Sequence, residues 1–216
     1  MVSKRLVTLL CSGLLVGAAS GVAATAASAA STLQGAGSTL IAPLEGEWAP
    51  AWAAASGNPQ PTYQAVGSGK GLSDIGSGLV DFGASDAPIS ASTTACPGCF
   101  QIPWALTATG VGFNIPGIHR LHLTGKILSE IYLGTINNWD NSQLKKINKG
   151  ERLPNLAITV LHRTDGSGDS YAFTDYLSSV SHPWASRVGR GTKPSFPIGP
   201  GASGNSGMVT VMGATK

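Results

Sequence analysis

The chain has 216 residues, 42% of them hydrophobic and only 12% charged, which excludes an intrinsically disordered protein. Its 14 Lys+Arg stand against 11 Asp+Glu, a net of +3, too small a basic surplus for an electrostatically driven nucleic-acid binder. Beyond the first thirty residues no apolar run reaches the length of about eighteen that a membrane-spanning helix needs.

Residues 1–30 read as a secretory leader: Met-Val-Ser-Lys-Arg, an apolar run from Leu6 to Val16, then small residues ending Ala27-Ser28-Ala29. Cleavage there leaves about 186 residues, enough for one good core or two small ones. It also removes Lys4 and Arg5, so the remaining chain carries 12 basic against 11 acidic side chains, a net of +1. Cys11 lies inside the apolar run with Leu10 before it, which is not the setting of a lipidated cysteine. After the leader, residues 61–66 and 79–84 are expected as strands, the second ending near Asp86. Cys96-Pro97-Gly98-Cys99 reads as a small local disulfide of an oxidising compartment. A redox site would want a preceding strand and a helix start, and residues 90–94 are a polar stretch instead. Residues 110–115 and 158–161 are expected as strands, the latter apolar enough for a covered parallel sheet. Residues 126–133 read as a helix. So do 171–180, where Phe173, Tyr176, Leu177 and Val180 define one apolar face. Residues 189–207, rich in Gly, Pro and Ser, read as loop. Short apolar runs alternating with helical segments indicate an α/β fold.

Three turns carry the chemistry: Gly35-Ala36-Gly37-Ser38-Thr39-Leu40, Gly67-Ser68-Gly69-Lys70-Gly71 and Asp165-Gly166-Ser167-Gly168-Asp169-Ser170. Each combines glycines with hydroxyls ahead of a helical segment, so unpaired N–H groups and a positive dipole end face outward. One such turn is a helix cap. Three of them, with Arg163 just before the last, form an oxyanion site. A nucleotide P-loop does not fit, because Gln64 stands where its first Gly belongs and Gly71 where its magnesium-binding hydroxyl belongs. A serine-hydrolase elbow does not fit either, since Ser68 and Ser167 lack the Gly-x-Ser-x-Gly frame.

These segments resemble the PstS family, the phosphate-binding proteins of bacterial ABC-type phosphate importers. The likeness also runs through Asp81-Phe82-Gly83-Ala84-Ser85-Asp86-Ala87-Pro88, Asn114-Ile115-Pro116-Gly117, Asn138-Trp139-Asp140 and Gly204-Asn205-Ser206-Gly207. The resemblance implies an α/β, two-lobed periplasmic-binding-protein (type II-like) architecture that closes on phosphate. It divides the chain into a signal peptide (1–30), the N-terminal part of a first lobe (31–108) and a second lobe (109–216). It implies phosphate donors from Thr39, Leu40 and Ser68, an acceptor carboxylate at Asp86, and further donors from Arg163, Ser167 and Gly168. Asp165 is implied to hold the Arg163 guanidinium. Asp169 departs from the family, where Thr is common, and is expected either to accept a second phosphate proton or to turn outward and cap its helix. Relative to the family the chain looks like a fragment, ending within the second lobe and lacking the C-terminal return to the first. The implied function is a non-enzymatic solute receptor, exported to the periplasm or the outer face of the cytoplasmic membrane. Its implied partners are inorganic phosphate and an ABC phosphate permease with its ATPase, with no cofactor, no metal and no nucleic acid; the complete protein would be a monomer. The alternative is an exported phosphate-ester hydrolase using the same anion cradle.

Overall fold

The structure, a computed structural model, describes residues 31–89 and 95–215. The leader, with Cys11, and the polar stretch 90–94 lie outside the described residues. The first half of the chain winds β1 (Gln34–Gly37), α1 (Ala42–Ser56), β2 (Thr62–Ala65), α2 (Ser68–Gly76) and β3 (Phe82–Ala84) into a three-stranded sheet of order β2-β1-β3. Both pairings are parallel, with Gln34 opposite Thr62 and Gly35 opposite Phe82. Parallel neighbours need a crossover, and α1 and α2 supply it. The core here is thin and made of small side chains: Ala36, Ala49, Ala84 and Ala87 are buried around Ile41. The β1 glycines let Phe82 and β3 come close; any Cβ at Gly35 would collide with the Phe82 ring. Beyond the sheet, Cys96 and Cys99 are paired as a disulfide with Cα atoms 5.6 Å apart.

The second half holds α3 (Gly125–Tyr132), α4 (Ser142–Ile147), β4 (His162–Arg163), α5 (Gly168–Val180), α6 (His182–Arg187), β5 (Gly201–Ala202) and α7 (Gly204–Ala214). Its main core gathers Ile115, Ile118, Ile127, Ile131, Ile136, Trp139, Leu144, Leu153 and Val160. A second cluster sets Leu128, Leu177 and the fully buried Trp184 against Tyr132, Phe173 and Phe196. The helix expected over 126–133 is α3, started by Thr124, whose hydroxyl accepts from the Ile127 N–H at 3.3 Å.

Four expectations need correction. Residues 110–115 form no strand: Asn114 donates through Nδ2 to the carbonyls of Met212 (3.2 Å) and Thr215 (2.6 Å), so the segment lies along the end of α7. Residues 158–161 form no strand; among the described residues the ladder-like contacts here are a bridge of the preceding Ala157 to Asn138 and the Ile158 N–H on the Asn137 carbonyl. A strand requires a hydrogen-bonded neighbour, and here pairing starts only at His162. The loop read over 189–207 contains β5 and the start of α7. The Pro200 and Ala202 carbonyls take the His162 and Thr164 N–H groups, so backbone pairing orders a segment with no strand-like side chains. Finally, the buried face of α5 is rotated from the expected one. Ser170, Thr174 and Leu177 are buried, whereas Tyr176 and Val180 are nearly half exposed. Thr174 fixes that rotation: its hydroxyl donates to the Ser170 carbonyl at 2.7 Å and accepts from the Gly191 N–H at 3.1 Å.

Candidate functional site

The three glycine-hydroxyl turns sit at the C-terminal ends of β1, β2 and β4, where an α/β fold places its ligands. Two of them touch directly, since the Gly69 N–H donates to the Gly166 carbonyl at 2.8 Å. Gly67 reaches this contact with φ at +89°, and a Cβ there would stand 2.7 Å from Asp165 Oδ2 and 2.8 Å from the Gly166 carbonyl oxygen. Only glycine allows the two turns to approach this closely.

One half of the site is built on Asp86. Ser38 Oγ donates to Asp86 Oδ2 at 2.6 Å and Ser68 Oγ to the same oxygen at 3.1 Å. Ser68 Oγ also accepts from the Asp86 N–H at 3.2 Å, so hydroxyl and carboxylate lock each other. Both serines are buried. Among the described residues no donor is bonded to Asp86 Oδ1, which leaves that oxygen as an acceptor. The Leu40 N–H goes to Ser38 Oγ at 3.1 Å. Gly168 lies against this group: a Cβ on it would overlap Asp86 Oδ2 and stand 2.6 Å from Ser68 Oγ.

The other half is built on Arg163, which is buried at the end of β4. Asp165 holds it in a bidentate pair, Nε to Oδ1 at 2.7 Å and Nη2 to Oδ2. Nη1 donates to Asp169 Oδ2 at 3.1 Å, to Asn205 Oδ1, and across the cleft to Thr39 Oγ1 at 3.4 Å. Asp165 also accepts from the Gly204 N–H at 3.1 Å. Ser167 is buried and caps α5, its hydroxyl accepting from the Ser170 N–H at 3.3 Å. Asp169 therefore does not cap the helix; its carboxylate turns inward to Arg163 and takes a bond from Thr109 Oγ1 at 3.0 Å. A cavity of about 430 Å³ opens beside this half; Leu40, Arg163, Asp169 and Asn205 are among its lining residues, and its wall is largely apolar.

Thus Thr39, Leu40, Ser68, Asp86, Arg163, Asp165, Ser167, Gly168 and Asp169 are brought to one cleft. Three side-chain partners were missed: Ser38, which lies in a turn already singled out, Asn205, whose segment was quoted without a role, and Thr109, which lies in no motif. For Ser38 and Asn205 the sequence signal was the motif alone and Thr109 had none, because what they bond lies 48, 42 and 60 residues away.

The two acidic partners of Arg163 are shifted in opposite directions. Burial works to raise the Asp165 pKa, but bonds from Arg163 and Gly204 and the Arg163 charge together outweigh it and hold the carboxyl below its ordinary value. For Asp169 burial, with the Asp86 charge, prevails over the Thr109 bond and the Arg163 charge, and the carboxyl is raised. A depressed folded-state pKa means that the unfolded chain binds more protons, so the Asp165 contribution is complete above about 3.9 and is lost as pH falls through the folded value. Acid unfolding is therefore expected to show a smaller loss of stability in Asp165→Asn than in the parent over that window. Denaturant melts at stepped acid pH check this, and equal losses in both chains would remove Asp165 as the cause.

The family model of the PBP superfamily domain matches residues 22–216. The chain belongs to the PBP superfamily. It is 38% identical over 186 residues to the phosphate-binding protein PstS of Xylella fastidiosa, covering 85% of this chain and 51% of that protein. It is equally similar, over 189 residues, to the PstS of Pasteurella multocida, covering 87% of this chain and 55% of that one. The chain thus spans about half the length of the curated relatives it matches. Among solved structures, a putative phosphate ABC transporter substrate-binding protein with bound phosphate from Clostridium perfringens aligns with a TM-score of 0.60 at 18% identity, over 84% of this chain and 66% of that one. An ABC-type phosphate transport receptor from Vibrio cholerae aligns with a TM-score of 0.50 at 20% identity, over 83% and 66%. These two likenesses show a shared fold, in agreement with the α/β architecture expected above.

Proposed function

We propose that this PBP superfamily chain binds inorganic phosphate and does so as the receptor of an ABC-type phosphate importer, outside the cytoplasmic membrane. The observation that carries the reading is the pairing, in one cleft, of a buried guanidinium with a carboxylate whose Oδ1 takes no donor among the described residues. A cation alone takes any oxyanion. A cation beside an acceptor-only carboxylate favours an oxyanion that still carries a proton, and phosphate does so near neutral pH. Thr39, Leu40, Ser68, Ser167 and Gly168, the donors implied by the resemblance, lie in the three turns that meet at these two groups; the Leu40 N–H and the Ser68 hydroxyl, bonded here to Ser38 and Asp86, would turn to the anion.

The names of the curated relatives support the same reading. In this proposal residues 1–30 are the export signal, residues 31–108 contribute one side of the cleft and 109–216 the other. Among the described residues no helix is long and apolar enough to cross a membrane. Delivery to a permease with its ATPase follows from the receptor role. The test is calorimetric titration of the chain with phosphate, alongside turnover of a chromogenic phosphate ester in the same preparation. Saturable one-to-one phosphate binding without ester turnover is expected. Ester turnover that is lost with Arg163→Met would replace the receptor by the hydrolase.

A further inference from the structure

The segment that carries Asp86 runs on past the sheet. β3 ends at Ala84, whose carbonyl takes the Ser38 N–H at 2.9 Å, and the backbone groups beyond it are held by side chains. Ser68 Oγ accepts from the Asp86 N–H at 3.2 Å. Ser85 Oγ accepts from the Ala87 N–H at 3.1 Å and donates to the Ala87 carbonyl at 2.9 Å. The remaining bonds come from Gln101, a residue outside the three turns. Its Nε2 donates to the Ser85 carbonyl at 2.9 Å and to the Ala87 carbonyl at 3.2 Å, and its Oε1 accepts from the Ile89 N–H at 3.0 Å. Two carbonyls and one N–H settle which way round the amide lies. The carbonyls of both neighbours of Asp86 thus hang on one side chain.

Gln101 is itself tethered. It follows the Cys96–Cys99 disulfide, whose Cys96 is buried and whose loop closes with the Cys99 N–H on the Cys96 carbonyl at 3.3 Å. That loop presses on the end of α2: a Cβ on Gly76 would collide with the Ala95 carbonyl oxygen and stand 3.0 Å from Cys96 Cα. α2 thereby meets the Asp86 segment twice, through Ser68 at its start and through the disulfide loop and Gln101 at its end. Gln101 is exposed, and among the described residues it bonds none of the anion-facing groups. We infer that Gln101 is a positioning residue for Asp86: it fixes the Asp86 backbone and so sets the margin by which the cleft prefers phosphate to sulfate. This rests on the phosphate reading above. Against sulfate, Asp86 Oδ1 meets another acceptor, and a braced segment must bear that contact where an unbraced one retreats from it. Against phosphate, the O–H···O⁻ bond itself draws the carboxylate in. Loss of the brace therefore helps sulfate more than it harms phosphate.

The test is competitive titration with inorganic phosphate and sulfate above neutrality, where both anions carry two charges. The chains are the parent, Gln101→Met, Gln101→Glu, Asp86→Asn and the double variant Gln101→Met, Asp86→Asn. Met matches the length of Gln without its amide. Ionised Glu keeps the acceptor for the Ile89 N–H and loses both donor bonds, so it serves if the Met variant does not fold. Each Gln101 variant is expected to lower the phosphate-over-sulfate ratio about ten- to a hundredfold, the loss that follows when a polar group is misplaced by about 1 Å. In the Asp86→Asn background Gln101→Met is expected to change the ratio no further, because the group it positions is gone. A merely structural role for Gln101 would lower the melting temperature and weaken both anions alike. A parent-like ratio in the Gln101 variants overturns the inference, as does an equal drop with and without the Asp86 carboxylate; both leave the phosphate reading standing. Absence of phosphate binding in the parent overturns that reading and this inference with it.

Discussion

Asp86→Asn is expected to abolish most of the discrimination between phosphate and sulfate while leaving measurable phosphate binding. Both anions are tetrahedral and accept hydrogen bonds from the same donors, so Arg163 and the surrounding hydroxyls cannot tell them apart. The difference lies in the proton that phosphate keeps. Ser38 and Ser68 both bond Asp86 Oδ2, so among the described residues Oδ1 is left as the acceptor for a ligand. Against phosphate, Oδ1 accepts a charge-assisted O–H···O⁻ bond; against sulfate it faces another acceptor. A site built around such a bond rejects the analogue lacking it by about 10⁴. An asparagine keeps the carbonyl oxygen for the two serines and puts an NH₂ where Oδ1 was, and that group donates to either anion. Phosphate affinity should fall by the worth of one charge-assisted bond, about 1.5–3 kcal/mol, while sulfate affinity rises. Competitive titration with both anions reads this out. An Asn variant that excludes sulfate as strongly as the parent would remove Asp86 from the role.

Replacing Arg163 with Met is expected to be the most damaging single change, for two separable reasons. Arg163 is buried, and its loss leaves both Asp165 and Asp169 without the cation they share. Removing one partner from a buried ionic cluster costs about 3–5 kcal/mol, a large part of the stability of a domain. Most of that cost belongs to the stranded carboxylates, so the triple variant Arg163→Met, Asp165→Asn, Asp169→Asn should recover much of it. Phosphate affinity should not recover in the triple variant, remaining about two orders of magnitude or more below the parent, because the guanidinium bonds to the anion are gone. Thermal melts and phosphate titrations on both variants separate the effects. Parent-like binding by the triple variant would show that Arg163 holds the cleft together without touching the ligand.

Much of the site was legible along the chain. A Gly-Ser turn ahead of a helix is a local object: glycine permits the backbone path, and the exposed N–H groups follow from the helix beginning there. For that reason Thr39, Ser68 and Ser167 could be picked out together with Arg163. The α3 helix was legible for a similar cause, since its buried Ile127, Leu128 and Ile131 recur at helical spacing. In α5 the same periodicity gave the helix but not its rotation. The polar Thr174 occupies the buried face through bonds to Ser170 and Gly191, and polarity disguises it in the pattern.

The strands over 110–115 and 158–161 show where local reading stops. Apolar alternation states which side chains face inward, and Val160 does face the core. Whether a ladder forms depends on a partner that the segment itself does not encode. The converse holds for Gly201 and Ala202, which pair with β4 through backbone groups that every residue possesses. Residue types, turn chemistry, the arginine and its carboxylates are thus properties of the chain in order, because each depends on neighbours a few positions away. That Ser38 closes on Asp86, that Asn205 meets Arg163, and that Asp169 turns inward to Thr109 instead of capping α5 depend on distances spanned by 42 to 60 residues. Those distances exist only once two parallel sheets and their helices have packed, since only packing brings groups so far apart in the chain within hydrogen-bond reach.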